Sequence, residues 1–134
     1  MSAAHPGFGA FAKAHTEFFD ALAPDGWSAI PGYEGVEEKI LSGRFDHVAR
    51  SGAVTRLARW SAGASVGDVL CHDWCEEVYL ISGSLSIGTP MAEVERLPPG
   101  TYAVRPPHAP HGPFFSADGC LLIEFLYYPP PAPA

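Results

Sequence analysis

Gly100-Thr101-Tyr102-Ala103-Val104-Arg105-Pro106-Pro107-His108-Ala109-Pro110-His111 runs from a short strand-like segment into a proline-rich loop that ends on an imidazole. Prolines narrow the freedom of the unfolded chain and fix the approach of a side chain. Upstream, Cys71-His72-Asp73-Trp74-Cys75-Glu76 supplies a second imidazole and a carboxylate. It leads into Glu77-Val78-Tyr79-Leu80-Ile81, which has strand composition and stops at the turn signal Ser82-Gly83. Two imidazoles and one carboxylate are enough to hold a divalent cation and leave coordination positions open.

Geometry restricts how His72 and Glu76 can cooperate. In one straight strand, residues four apart point to the same face but stand roughly 13 Å apart, at about 3.3 Å per residue. Metal bonds of about 2 Å cannot bridge that gap. Either the chain bends within Asp73-Trp74-Cys75, or the two side chains do not share an ion. A bend between two antiparallel strands suits the composition better than a helix does.

These residues resemble the two sequence motifs of the cupin superfamily. Glu76, six residues and Gly83 match the end of the first motif. Gly100, five residues, Pro106, Pro107, His108, two residues and His111 match the second, with His108 where the family usually has glycine. The likeness spans about Gly63 to Tyr127. Glu76-Glu77-Val78-Tyr79 and Gly119-Cys120 look most like the small cupins related to an anti-sigma-factor sensor domain and to diketone-cleaving dioxygenases. The resemblance implies His72, Glu76 and His111 as metal ligands. In the first motif, Leu70 stands where the family's first histidine falls; with a shorter loop, His72 would be that histidine and Trp74 would replace the second. His108, Asp73 and Cys71 are the candidates for a fourth ligand.

The implied fold is all-β: a double-stranded β-helix, or jelly roll of the RmlC-like cupin type, with a short N-terminal helix. The composition agrees with it. A chain of 134 residues, 47% hydrophobic and 17% charged, fits one globular domain. Its 14 glycines and 14 prolines favour many short strands over long helices. A formal charge of −7, with eight basic residues in no run, argues against nucleic acid or an anionic membrane as partner. Three cysteines without a Cys-x-x-Cys do not make a disulfide framework and read as small apolar fillers. With no signal-peptide pattern and no apolar run of 18 residues, the expected location is the cytoplasm.

Three segments are expected: an N-terminal helical extension over 1–26, a β-barrel over 27–128 and a proline-rich tail over 129–134. Apolar positions Phe8, Phe11, Phe18 and Leu22, with His15 among them, form one stripe of an amphipathic helix ended by Pro24-Asp25-Gly26. His15 reads as a packed histidine of that stripe. Strand candidates are Glu38 to Leu41, Val54 to Trp60, Val69 to Cys71, Glu76 to Ile81, Leu85 to Ile87, Thr101 to Val104 and Cys120 to Tyr127. Glycine and serine turns separate them at barrel spacing.

Period-two alternation sends Glu76, Val78 and Leu80 inward and Glu77, Tyr79 and Ile81 outward. An inward Glu76 among apolar groups would be costly unpaired, and a cation would neutralise it. Glu124 is the one charged group of Cys120 to Tyr127 and reads as a pocket carboxylate with a raised pKa, or else as a residue at an interface or solvent gap. Arg56 and Arg59 fall on opposite faces of their strand, so one points inward and can bind an anion or pair with Glu124. Arg56, Trp74, His108, Glu124 and Tyr102 are the substrate-pocket candidates.

The leading functional expectation is a metal-binding cupin acting as a non-haem Fe(II) dioxygenase on a small carbonyl or phenolic compound. The two-histidine, one-carboxylate set is suited to binding substrate and dioxygen together. Zn, Mn or Ni are the alternative metals. One alternative function is a non-catalytic zinc-binding sensor; another is a metal-assisted isomerase or lyase. The resemblance also implies a homodimer.

Overall fold

Short runs of aliphatic, aromatic and β-branched residues, cut by glycine and proline turns, build ten strands among the described residues. The computed structural model describes residues 3–131. The strands are β1 (Ser28–Ala29), β2 (Val36–Asp46), β3 (Ser51–Trp60), β4 (Ser65–Val66), β5 (Cys75–Gly83), β6 (Leu85–Thr89), β7 (Ala92–Leu97), β8 (Tyr102–Arg105), β9 (Phe114–Phe115) and β10 (Cys120–Tyr127). They form two antiparallel sheets, one ordered β1-β2-β3-β10-β5-β8 and the other β4-β9-β6-β7. This is the all-β double-stranded β-helix that the motifs imply.

Alternation along β5 and β10 fills the barrel. Leu80 and Leu122 are 2% and 3% exposed and pack with Ala58, Leu85, Phe114 and Cys120. Each buried leucine contributes about 1.5–3 kcal/mol relative to leaving it in water. A second cluster of Val36, Ala64 and Val66 packs with Ile30, Tyr33, Trp60 and Leu70. Gly83 ends β5 at φ +79, and a Cβ there would collide with the carbonyl oxygen of Gly119. The motif's glycine is therefore required where β5 passes the start of β10. Cys120 sits in the core, and burial pushes its thiol up to about 11. Among the described residues, no helix is long and apolar enough to cross a membrane.

The N-terminal segment differs from the expected amphipathic helix. A 3-10 helix covers only Pro6–Phe11, and residues 13–20 have no regular structure. Left-handed backbone at Gly9 (φ 56) and Ala12 (φ 58) interrupts the helical path. Two glycines in the first turn also make helix growth expensive. The chain instead runs across the outside of the large sheet, where Lys13 Nζ donates to Thr55 Oγ1 at 2.8 Å and Lys39 Nζ donates to the Ala23 carbonyl at 3.0 Å. Phe18 and Leu22 are therefore exposed, and so is His15, which meets Glu17 at 3.3 Å instead of packing in a core.

Strand assignments also change: the two-residue strands β1, β4 and β9 are not among the candidates. Val69 to Cys71 is not a strand; only Leu70 makes a bridge, to His111. Ala92–Leu97 is a strand that periodicity missed, because its charged residues sit on an exposed sheet edge. Of the expected tail, residues 129–131 are irregular and exposed, and 132–134 lie outside the described residues.

Candidate metal centre

Glu76 is the second residue of β5 and turns inward, 7% exposed. Antiparallel register sets it opposite Arg105 of β8, whose Nη1 lies 3.2 Å from Glu76 Oε2. The same oxygen lies 3.3 Å from His111 Nε2. An otherwise costly buried carboxylate thus has a guanidinium donor beside it.

Main-chain hydrogen bonds bring the two histidines to it. Leu70 N donates to the His111 carbonyl at 2.7 Å, and His111 N donates back to Leu70 at 2.9 Å. His108 N donates to the His72 carbonyl at 2.6 Å. These three bonds tie the segment before β5 to the proline loop after β8. Bends at Asp73 and Trp74 then shorten the path from His72 to Glu76, which removes the straight-strand objection.

As a result, one donor atom from each of His72, Glu76 and His111 lies within 4.8 Å of the other two. Donors on one ion stand roughly 3 Å apart when adjacent and 4 Å when opposed, given bonds of about 2.0–2.2 Å. Small side-chain adjustments close the difference. The ring chemistry also fits. His111 Nδ1 is 3.0 Å from the Ala109 carbonyl, so it donates there and presents Nε2 to the site. Burial first, then the His111, Arg56 and Arg105 charges, hold His72 below the ordinary histidine range, which favours the neutral ligating form. Trp74 stacks on His72 with centroids 4.5 Å apart and planes 6° from parallel. Two nitrogens and a carboxylate suit Fe(II), Mn(II) and Zn(II) alike.

None of the fourth-ligand candidates joins the group among the described residues. Cys71 is exposed, and Asp73 is engaged by Tyr128 OH at 3.2 Å and Arg50 Nε at 3.4 Å. His108 is exposed, with φ at 69°. That left-handed backbone explains why the motif has glycine at this position. What His108 gives the site is its backbone N–H.

The trio opens on a cavity of about 440 Å³ with apolar walls that include Trp60, Phe114 and Leu122. Arg56 lines it and answers which arginine points inward. Its Nε donates to Glu124 Oε1 at 2.7 Å and its Nη1 to Glu38 Oε2 at 2.6 Å. Arg59 points outward, pairing with Glu37 and lying 3.9 Å from the centre of the Trp27 ring. Burial pushes the Glu124 carboxyl up, with Glu76 and Glu38 adding repulsion and Arg56 opposing it.

Trp74 also lines this cavity, whereas Tyr102 and His108 do not. Tyr102 pairs in register with outward Tyr79 and donates its hydroxyl to Glu77, which accepts from Tyr127 as well. It therefore belongs to the outer face. Arg105, Glu38 and Tyr33 line the cavity and were not singled out from sequence. For Arg105 the signal was available, since Ala103 and Arg105 alternate as half-buried positions with exposed Tyr102 and Val104.

No protein-family model matches the chain, and no curated protein matches its sequence. Solved structures do match. An RmlC-like cupin from Shewanella frigidimarina superposes with a TM-score of 0.62 at 20% identity, over 87% of this chain and 94% of that one. An acetylacetone dioxygenase from Acinetobacter johnsonii gives 0.60 at 15% identity, over 86% and 76%. A polyketide cyclase from Streptomyces resistomycificus gives 0.55 at 22% identity, over 76% and 71%. At these identities the likeness establishes the cupin fold and nothing finer.

Proposed function

We propose that the protein is a metal-dependent enzyme of the non-haem Fe(II) type, performing dioxygenase chemistry on a small carbonyl or phenolic compound. The convergence of His72, Glu76 and His111 on the wall of a largely apolar cavity carries this reading. When bound, the metal would act as Lewis acid and electron conduit. Arg105 steadies Glu76, the Ala109 carbonyl fixes the His111 tautomer, and Trp60 and Phe114 give the cavity apolar wall. Leu70 lines the cavity without offering a donor, so coordination positions stay open for substrate. The fold shared with an acetylacetone dioxygenase agrees with the reading. Oxygen uptake by iron-reconstituted protein, assayed against β-diketones and hydroxyacetophenones, is the test. Failure with every one of them sinks the dioxygenase reading.

A second reading, a metal-assisted isomerase or lyase, is favoured by Glu124, a buried carboxyl on the cavity wall that metal binding does not use. Turnover under argon separates it from the first. Elemental analysis of protein purified without added metal adds a cheap discriminator. Iron or manganese supports redox chemistry, whereas full zinc without turnover favours a sensor.

A further inference from the structure

Glu124 is 7% exposed, on the inward face of β10, and it lines the same cavity as the three candidate ligands. One of its oxygens, Oε1, is held by Arg56 Nε. The other, Oε2, accepts no hydrogen bond among the described residues. It is the unengaged oxygen of a side chain that lines the cavity. Glu124 pairs with Val78 and Leu126 pairs with Glu76, so Glu124 and Glu76 are diagonal neighbours on adjacent strands. That diagonal is about 7–8 Å between backbones, and both carboxylates face the same cavity of about 440 Å³, which has room for one small molecule beside the ligand cluster.

We propose that Glu124 is a catalytic residue, the general base that takes a proton from the carbon next to a substrate carbonyl. The inference rests on the three-ligand site, where that carbonyl would be held. The substrate C–H bond breaks, and its proton goes to Glu124 Oε2. The electron pair forms the C=C bond of an enolate, whose negative oxygen would lie toward Arg105 and the three residues that would hold the cation. Returning the proton at the same or another carbon completes an isomerisation. Leaving the enolate in place prepares an electron-rich substrate for oxidative cleavage with dioxygen as the oxidant. The substrate class is therefore a small ketone with an acidic neighbouring C–H.

The surroundings of Glu124 suit this task. A base near neutral pH needs a carboxyl less acidic than usual, and desolvation with repulsion from Glu76 of β5 and Glu38 of β2 pushes it that way. Arg56 of β3 limits the rise and fixes the orientation. Glu38 competes for the same guanidinium, which keeps Arg56 from committing fully to Glu124.

The test is hydrogen exchange into 2′-hydroxyacetophenone, whose methyl hydrogens exchange slowly unaided, on zinc-loaded protein under argon in deuterated water, read by NMR with zinc content measured alongside. Wild type should exchange the methyl group well above buffer. Glu124→Gln should hold the same zinc and exchange at least about 100-fold more slowly, the usual contribution of a positioned base. Glu38→Gln releases Arg56 to Glu124 and removes a repulsion, so its exchange should be slower and its pH midpoint more acidic. That variant tests the base even where Glu124→Gln does not fold. Exchange at the wild-type rate in Glu124→Gln, an unmoved midpoint in Glu38→Gln, or buffer-level exchange by zinc-loaded wild type overturns the assignment alone. A wild type that binds no zinc overturns the ligand cluster and this base together.

Discussion

Replacing Arg56 by methionine isolates what holds the cavity carboxyl in place. Arg56 joins Glu124 at 2.7 Å and Glu38 at 2.6 Å, and the side chains of Arg56 and Glu124 are 19% and 9% exposed. Removing one member of such a buried pair costs about 3–5 kcal/mol, because the remaining charge is left uncompensated. The wetter Glu38 contact adds at most about 1 kcal/mol. At about 4 °C per kcal/mol for a domain of this size, Tm should fall by roughly 15 °C at neutral pH. The sign of the pH dependence follows from Glu124. Its folded pKa is already above the ordinary value and rises further without Arg56. A carboxyl raised in the folded state supports stability below its unfolded pKa and loses that support as pH rises through the folded value. The deficit of Arg56→Met should therefore be small near pH 5 and grow toward pH 8. Adding Glu124→Gln should recover most of it. Urea unfolding at both pH values measures this. An equal deficit at both, or less than about 1 kcal/mol at pH 8, refutes the pairing argument.

Four further outcomes are expected. His72→Ala with His111→Ala should abolish metal uptake by elemental analysis, along with the metal-induced gain in stability, which is about 2.7 kcal/mol at 100 times Kd. Because burial lowers the His72 pKa, metal-free protein should keep its full stability above the ordinary histidine value near 6.5. It should lose stability as pH falls through the depressed folded value, and His72→Gln should flatten that slope in a thermal-shift series. Tyr127, pushed up to about 12 mainly by its hydrogen bond to Glu77, should titrate toward 10 in Glu77→Gln, seen by ultraviolet absorbance. The outer face of the large sheet exposes Tyr79, Ile81, Val104 and Phe125, so we expect a homodimer through it; Ile81→Lys with Val104→Glu should halve the mass seen by light scattering.

Much of the centre was legible because strand alternation is a local rule. Glu76 inward and Tyr79 outward follow from register alone, and the turn glycines mark where strands stop. Arg56 over Arg59 was not legible, since choosing between opposite faces needs the neighbouring strand that brings Glu124. The N-terminal stripe misled for a related reason. Spacings of three and four describe a helix only if the backbone can continue one, and the left-handed turns at Gly9 and Ala12 divert it. Tyr102 was mistaken for a pocket residue because aromatic character says nothing about which face a strand presents.

The reciprocal peptide bonds between positions 70 and 111 separate architecture from chemistry. The join is made by main-chain atoms, so the aliphatic group of Leu70 is free to change without loosening it. That side chain already looks into the chamber. Installing an imidazole there would lead toward a four-donor coordination sphere on an unaltered scaffold. A lineage could thus switch between permissive and saturated metal binding through one codon.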